Sequence, residues 1–333
     1  MMERIAILGA GGMGTALGLL FGKTQARVAL WSRTEEQAEA LLRERVNHRY
    51  LPGVRIPEGV LITADAPAVL DGAQLVVAAV PSSFLRAVLE GLATEFASLV
   101  PFLSVVKGIE NGTFSRPSQI IIETTGDRPV AVLSGPSHAE EIARGLPASV
   151  VVAGPSPVLN LAIQGQLSHE AFRVYTNPDA IGVELAGALK NIVGIAAGIC
   201  DGLGFGDNAK AALLTRGLVE ITRLGVALGG RASTFYGLAG VGDLVTTCYS
   251  PFGRNRSVGE RIGRGETLQQ VLAAMVNIAE GVATTRSVCA LAKRLGIDMP
   301  ITAELHQVLF EGKNPRSAVS DLMIRQPKVE WDP

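Results

Sequence analysis

Residues 5–18 decide the fold and run Ile5-Ala6-Ile7-Leu8-Gly9-Ala10-Gly11-Gly12-Met13-Gly14-Thr15-Ala16-Leu17-Gly18. A strand-length apolar run leads into a G-x-G-x-x-G turn, and an Ala/Leu-rich segment of helical character follows it. Gly9 permits the tight turn, Gly11 lets the backbone approach a pyrophosphate, and Gly14 lets the helix pack closely on the strand. The free N–H groups at the helix start favour phosphates. The stretch therefore predicts a dinucleotide-binding turn rather than a purely structural one.

The composition is typical of a chain with a large apolar core. Of its 333 residues, 47% are hydrophobic and 18% charged, and the net charge of −1 gives no electrostatic reason to expect nucleic acid or an acidic membrane as partner. Cys200, Cys248 and Cys289 are far apart, which favours a reducing compartment without a disulfide framework or a metal cluster. Glycines interrupt the apolar N-terminus, so neither a secretion signal nor membrane insertion is expected, and we expect a cytoplasmic protein.

Strands and helices alternate in the first half of the chain. Strands are predicted at 27–31, 74–80, 102–107 and 128–134, and helices at 35–46 and 83–96. This alternation predicts a Rossmann-like, doubly wound parallel sheet with ligands at the carboxyl ends of its strands. From residue 177 onward the segments have helical periodicity, at 178–200, 209–228, 268–278, 285–295 and 301–310. The sequence thus predicts a dinucleotide-binding domain over 1–176 and an all-helical substrate and catalytic domain over 177–333.

The segment after the second strand bears on the choice of cofactor. An acid that binds the ribose 2′-OH of NAD(H) is expected there, but the residues are Ser32, Arg33 and Thr34. Arg33 can pair with a 2′-phosphate, and the two hydroxyls can donate to it. The pattern predicts that NADP(H) is accepted and preferred over NAD(H), the alternative being a solvated loop arginine.

Two further strand ends carry polar residues. Lys107 closes an otherwise apolar strand, where it either faces a ligand or extends to solvent. Ser137 precedes Glu140 by three residues, a pattern that predicts a capping box at a helix start. The same helix start can also receive an anion or a cofactor amide.

The helical part holds a lysine in apolar surroundings. Lys190 lies among Ala, Leu and Gly residues, and burial there is expected to lower its pKa toward neutrality, which suits proton exchange with a substrate oxygen. A lysine that extends to the helix edge is the alternative. Asp243, in a glycine-rich turn, can orient Lys190 or a substrate hydroxyl, or can cap a helix. Cys248 is expected to be a buried, inert thiol.

A basic turn opens a later helix. Gly253, Arg254 and Asn255 can form an anion site from a guanidinium and free backbone N–H groups, which a phosphorylated small substrate would satisfy. A solvated basic turn is the alternative. Glu280 follows an apolar run, where it either binds a ribose or amide or caps a helix.

Taken together, the ordered motifs resemble the NAD(P)-dependent sn-glycerol-3-phosphate dehydrogenases of the bacterial type. The motifs are GAGGMGTAL (9–17), NHRYLPG (47–53), VKGIE (106–110), SGPSHAE (134–140), LKNI (189–192), GVGDLVTT (240–247), RNR (254–256) and EG (280–281). The resemblance implies reversible hydride transfer between NAD(P)H and dihydroxyacetone phosphate, which gives sn-glycerol 3-phosphate for phospholipid synthesis.

The resemblance also implies roles for single residues. Lys190 matches the proton donor and acceptor, and Lys107 and Asp243 align C2. Substrate positions are matched by Lys107, Gly135, Ser137, Lys190, Asp243, Gly253, Arg254 and Asn255. Cofactor positions are matched by Gly9, Gly11, Gly12, Met13, Gly14, Arg33, Thr34, Tyr50, Lys107, Ala139, Arg254, Ile278 and Glu280. No residue is assigned to a metal.

Four positions, in three segments, depart from the family pattern. Gly12-Met13 replaces a serine and an aromatic residue, His138 stands where phenylalanine is frequent, and Gly253 replaces a serine, which leaves only backbone to contact phosphate there. A β-hydroxyacid dehydrogenase or a ketopantoate reductase is the alternative with the same architecture, and a non-catalytic NAD(P)H-sensing module is the alternative of another class. The Ala/Gly-rich helices are compatible with a homodimer.

Overall fold

A computed structural model describes residues 2–97, 99–327 and 329–330. The strands are β1 Arg4–Leu8, β2 Arg27–Trp31, β3 Val46–Asn47, β4 Leu51–Arg55, β5 Val60–Thr63, β6 Leu75–Ala78, β7 Phe102–Ser104, β8 Val130–Ser134, β9 Ala148–Ala153 and β10 Phe172–Asn177. The helices of the first half are α1 Gly12–Gly22, α2 Glu35–Glu44, α3 Ala66–Leu70, α4 Ser82–Gly91, α5 Pro117–Thr125, α6 Ala139–Ala143 and α7 Pro157–Leu167.

Over the described ranges, eight strands form one sheet in the order β10-β9-β8-β7-β6-β1-β2-β5, and β3 and β4 form a separate antiparallel pair. Helices cover both faces of the large sheet. On one face, Leu17 of α1 and Ile163 of α7 belong to one core. On the other, Leu85 of α4 and Ile120 of α5 belong to a second core. The predicted doubly wound α/β architecture is confirmed.

The strands predicted at 27–31, 74–80, 102–107 and 128–134 are parallel, as expected, but the sheet also contains β9 and β10, which the sequence did not predict. Six neighbouring strands of the sheet are parallel to one another, namely β5, β2, β1, β6, β7 and β8. Strand β9 runs antiparallel to β8, and β10 runs parallel to β9. A parallel crossover needs a connection that returns to the other end of the sheet. The connection from β8 to β9 holds only α6, which is about 7.5 Å long. The chain therefore enters β9 from the edge where β8 ends.

Helices make up the second half. They are α8 Ala180–Gly202, α9 Asp207–Ala227, α10 Ala232–Phe235, α11 Asp243–Tyr249, α12 Arg254–Gly263, α13 Leu268–Ala273, α14 Glu280–Leu295, α15 Pro300–Phe310 and α16 Pro315–Met323, with a π-helical turn at Leu238–Gly242. Helix α8 lies at the centre of this part, and residues such as Leu189 and Ile192 are buried in its core. The predicted helical second half is confirmed.

Helix α8 is long and apolar enough to cross a membrane, with a mean hydropathy of 1.5 over a stretch of 18 residues. All of that stretch is buried inside the protein. Its apolar character is thus accounted for by its position as a core helix.

Two local predictions are wrong. The strand predicted at 102–107 ends at Ser104, so Lys107 lies in the irregular segment beyond it. The predicted capping box at Ser137 is absent from this described segment: His138 is the N-cap residue of α6, and the Ser137 hydroxyl donates to the Gly135 carbonyl, at 2.7 Å. The side chain of Ser137 is turned away from the helix by this bond.

Candidate active site

The glycine turn between β1 and α1 has the geometry that a dinucleotide requires. Gly9 has a φ of +115°, in the region that favours glycine. A Cβ on Gly14 would lie 1.8 Å from the carbonyl oxygen of Gly9, so the helix can pack here only without a side chain. A Cβ on Gly11 would meet open space. The backbone at Gly11 is therefore open to a pyrophosphate, and these residues fit the predicted cofactor.

Three of the predicted cofactor residues meet at the start of α1. A Cβ on Gly12 would lie 3.0 Å from the carbonyl oxygen of Tyr50 and 3.6 Å from Cβ of Ala139. Met13 is partly buried against the sheet core. Asn47, which the sequence analysis did not single out, donates from Nδ2 to the Ala10 carbonyl at 3.0 Å and to Thr15 Oγ1 at 2.8 Å. It ties the β3–β4 pair to the glycine turn.

The segment after β2 presents Arg33 to solvent, while Thr34 caps α2 by accepting the Gln37 amide at 3.3 Å. Ser32 is completely buried. The expectation that the Ser32 hydroxyl donates to a 2′-phosphate is therefore wrong, because a fully enclosed hydroxyl cannot contact the cofactor.

One buried carboxylate joins two lysines from different parts of the chain. Asp243, at the start of α11, accepts Lys107 Nζ on Oδ2 at 2.7 Å and Lys190 Nζ on Oδ1 at 2.9 Å. Lys190 Nζ also donates to Thr247 Oγ1, one turn further along α11. Lys190 is 7% exposed and Asp243 is 2% exposed. Their burial makes this bridge a strong electrostatic feature.

The segment after β8 holds Lys107 from the other side. Lys107 Nζ donates to the carbonyl of Gly135 and to Ser137 Oγ, each at 3.1 Å. Gly135 has a φ of +127°, and a Cβ there would lie 3.1 Å from Val150 Cα. Only glycine fits this bend comfortably, so the carbonyl that holds Lys107 depends on the residue type at 135.

The charges in this cluster shift several pKa values. Burial lowers the pKa of Lys190 to about 8, although Asp243 acts to raise it. This confirms the expected lowering. Burial acts to raise the pKa of Asp243, but Lys107 and Lys190 outweigh it and hold that pKa below its ordinary value. Burial, followed by the charge of Lys190, lowers the pKa of His138 to about 4, so this histidine is neutral near pH 7.

The expectation of an inert Cys248 is confirmed. The thiol is completely buried, and burial raises its pKa to about 12. It therefore carries no thiolate near neutral pH.

The start of α12 brings Gly253, Arg254 and Asn255 to one place. Arg254 is exposed, and its Nη1 donates to the Ile278 carbonyl at 3.3 Å. The Gly253 N–H already donates to the Ser250 carbonyl at 3.1 Å, so the backbone contact expected from its N–H is taken. A Cβ at 253 would lie 2.8 Å from the Thr247 carbonyl oxygen, which accounts for glycine in this position.

Asn255 is buried, and its side chain belongs to a chain of hydrogen bonds. Its Nδ2 donates to Asn191 Oδ1 at 2.9 Å, and its Oδ1 accepts the Gly281 N–H at 3.0 Å. Asn191 Nδ2 in turn donates to the Lys107 carbonyl at 3.1 Å. The Asn255 side chain therefore links elements of the site, and its backbone N–H belongs to the first turn of α12.

Glu280 opens α14 and joins the two halves of the chain. Its Oε1 accepts the Ser82 N–H, at the start of α4, at 2.8 Å. Ile278, just before it, is exposed. The Ile278 carbonyl accepts Arg254 Nη1, so the segment that leads into α14 contacts the start of α12.

Two family models match the chain. Residues 4–159 match the N-terminal domain and residues 179–320 match the C-terminal domain of NAD-dependent glycerol-3-phosphate dehydrogenase. The chain belongs to this dehydrogenase family.

Similar proteins agree with the match. A glycerol-3-phosphate dehydrogenase (NAD(P)+) from Geobacillus thermodenitrificans is 51% identical over 334 residues, which cover 99% of this chain and 97% of its own. The crystal structure of a glycerol-3-phosphate dehydrogenase from Coxiella burnetii is 39% identical, with a TM-score of 0.94 over 97% of this chain and 99% of that one. A ketopantoate reductase from Ralstonia eutropha, 16% identical with a TM-score of 0.61 over 96% of this chain and 100% of its own, shares the fold alone.

Two members of the site, Thr247 and Asn191, were not predicted from the sequence. Thr247 ends the GVGDLVTT motif and Asn191 follows Lys190 in the LKNI motif. The helical spacing was the available signal: Asp243 and Thr247 are four residues apart, on the same face of a helix.

Proposed function

We propose that this chain catalyses reversible hydride transfer between NAD(P)H and dihydroxyacetone phosphate, giving sn-glycerol 3-phosphate for glycerophospholipid synthesis. The observation that carries the proposal is the buried bridge in which Asp243 holds Lys107 and Lys190 together. The family match and the names of the relatives agree with this reaction. When bound, the nicotinamide cofactor supplies or accepts the hydride at C2.

The residues proposed to hold the cofactor lie along one edge of the sheet and on the facing helices. They are Gly9, Gly11, Gly12, Met13, Gly14, Arg33, Thr34, Tyr50, Lys107, Ala139, Arg254, Ile278 and Glu280. Arg33 is exposed at the end of β2, where a guanidinium can pair with a 2′-phosphate. This supports the use of NADP(H) in preference to NAD(H).

Lys190 is the proposed proton donor and acceptor. With a pKa of about 8, Lys190 is mostly an ammonium at neutral pH and can give a proton to the C2 oxygen as dihydroxyacetone phosphate is reduced. In the reverse direction the neutral amine takes that proton from the hydroxyl. Asp243 Oδ1 and Thr247 Oγ1 fix the position of Nζ, so little reorganisation is needed when the proton moves.

Lys107 is proposed to orient the C2 oxygen and to stabilise the charge that develops on it. Its Nζ is already held by Asp243, the Gly135 carbonyl and Ser137 Oγ. The proposed phosphate site is the first turn of α12, where Arg254 supplies a guanidinium and the unpaired N–H groups of a helix start point outward. Gly253 and Asn255 shape this turn.

The direct test is oxidation of NADPH by the purified protein with dihydroxyacetone phosphate, followed by absorbance, with ketopantoate as the alternative substrate. We expect turnover with the phosphorylated substrate only. Lys190→Ala should lower kcat by about a thousandfold in a protein that is still folded by circular dichroism, because proton transfer and charge stabilisation are both lost. Lys313→Ala, which removes an ion-paired lysine elsewhere, is the matched control. Near-normal turnover of Lys190→Ala would refute the assignment.

The other sequence expectations stay proposals. We infer a domain boundary at residues 176–177, and the change there from the last residues of β10 to α8, which begins at Ala180, supports it to within a few residues. We also propose a cytoplasmic homodimer that neither inserts into membranes nor binds nucleic acid. The near-zero net charge supports the absence of nucleic acid as a partner, and the three free cysteines support a reducing compartment. Light scattering on the eluted protein tests the dimer.

A further inference from the structure

Helices α8 and α12 touch through their backbones. A Cβ on Gly198 of α8 would lie 1.9 Å from the Arg256 carbonyl oxygen, and one on Gly259 of α12 would lie 1.9 Å from that of Ile195. Larger side chains therefore cannot stand between the helices at these points. Helix α8 carries Lys190 and the first turn of α12 carries Arg254, so this contact sets how far the amine lies from the proposed phosphate site.

A cluster of charges lies beside this contact, and we call it the Asp201 cluster: Asp201, Lys210, Tyr249 and Arg256. Asp201 Oδ2 accepts Arg256 Nε at 2.6 Å, and Oδ1 accepts Lys210 Nζ at 2.5 Å. Lys210 Nζ also lies 4.7 Å from the centre of the Tyr249 ring, at the end of α11. The cluster thus joins α8 and α9 to both ends of the segment that leads into α12.

The cluster supplies what the glycine contact lacks. Glycines allow close approach but have no side chains that interlock, so they do not by themselves prevent one helix from sliding along the other. Arg256 stands in the same helical turn as Arg254. A charge-assisted hydrogen bond at Arg256 therefore fixes the axial position of the turn that carries Arg254.

We propose that Asp201 is a positioning residue for substrate phosphate, which holds the first turn of α12 at a fixed distance from Lys190. The proposal rests on the proposed function, because it assumes that the phosphate lies at Arg254. Asp201 itself touches neither substrate nor cofactor. Without the Asp201 charge, Arg256 keeps only its 3.6 Å ion pair with Glu260 of its own helix, so no carboxylate joins it to Lys210 and the first turn of α12 is no longer tied to α8.

The test compares Asp201→Asn with wild type on two substrates, dihydroxyacetone phosphate and dihydroxyacetone, which lacks the phosphate. We expect KM for dihydroxyacetone phosphate to rise about tenfold, with kcat within about threefold of wild type, since the loss falls on phosphate binding. The rate constant kcat/KM for dihydroxyacetone should not change. Asp201→Glu, which keeps the charge, should restore most of the affinity.

The matched control is Glu266→Gln. Glu266 accepts Arg261 Nε at 2.8 Å, so this variant also removes the partner of an arginine on α12, but near the end of the helix away from Arg254. It should leave KM for dihydroxyacetone phosphate unchanged.

Three outcomes overturn the proposal. The first is a KM for Asp201→Asn within about twofold of wild type. The second is an equal loss on both substrates, which would indicate general damage. The third applies if Asp201→Asn is not recovered folded: Arg256→Gln, which removes the donor to Asp201, then leaves KM for dihydroxyacetone phosphate within about twofold of wild type or lowers activity equally on both substrates. Absence of any turnover by wild type would instead refute the proposed function itself.

Discussion

Replacing Asp243 by asparagine tests the central electrostatic feature of the site. The carboxylate accepts one lysine on each oxygen, at 2.7 and 2.9 Å, in a buried position. A neutral amide removes about 1.5–3 kcal/mol of support for each ammonium. For Lys190 this lowers its pKa from about 8 to between about 6 and 7.

The loss of rate follows from the fraction of Lys190 that still carries a proton. At pH 7, about nine tenths of Lys190 is protonated in wild type, against between about half and about one tenth in the variant. Reduction of dihydroxyacetone phosphate needs the ammonium, so this effect alone slows it by about two- to tenfold. Loss of the fixed position of Nζ adds about ten- to a hundredfold.

The assay is the pH dependence of kcat in both directions. In wild type, reduction should be constant below pH 8 and fall above it, whereas oxidation of glycerol 3-phosphate needs the free amine and should rise through the same pH. In Asp243→Asn both limbs should move to lower pH. The control is Glu184→Gln, which also removes a buried, ion-paired carboxylate, in this case one on α8. This variant should leave both limbs of the pH profile in place. Unmoved limbs in Asp243→Asn would show that this carboxylate does not control Lys190.

Three further predictions concern the cofactor and stability. Arg33→Asp should lower kcat/KM with NADPH by about ten- to a hundredfold and affect NADH less, since only NADPH carries the 2′-phosphate; equal efficiency with NADPH would remove the assignment. Gly14→Ala places a Cβ 1.8 Å from the Gly9 carbonyl oxygen and should abolish NADPH binding in a fluorescence titration, while Gly22→Ala, whose Cβ meets Val60 at 3.6 Å, should bind normally. Burial raises the pKa of Glu220 from 4.5 to about 7. The folded state therefore holds this proton more tightly than the unfolded state. The free energy of unfolding of the protein should fall by up to about 3 kcal/mol as the pH rises from 4.5 to about 7. Urea titrations at several pH values should show that the free energy of unfolding declines less steeply with pH in Glu220→Gln than in wild type. The same decline in both proteins would contradict the raised pKa of Glu220.

Much of the fold could be predicted because local signals agreed with tertiary structure. The stretch around Gly9 and Gly14 has its strand, turn and helix in sequence order, and β2 was predicted at its observed bounds. The direction of β9 could not be predicted, because its sequence, ASVVVA, is equally suited to a parallel or an antiparallel neighbour. What decides the direction is the short α6 before it, which is a property of the connection.

The candidate site was predictable where the residue type was unusual for its surroundings. Lys190 stood out as a charge in an apolar helix, and Asp243 as a carboxylate in a glycine-rich turn. The partners of Lys107 could not be predicted, because they come from the segment after β8 and from α11, far along the chain. Ser32 was misjudged for the same reason, since its burial depends on elements that pack over it from elsewhere.

The reversed direction of β9 and β10 determines where α8 begins. β10 ends level with Ala153, which pairs with Val132 in the middle of β8, and α8 begins three residues later, at Ala180. Helix α8 then runs for about 15 Å before it reaches Lys190. The amine therefore sits on an interior turn, where the helix ends cannot fray around it. Its backbone amide should be among the slowest in the protein to exchange with deuterium, so the proton-transfer group is carried by one of the most persistent parts of the fold.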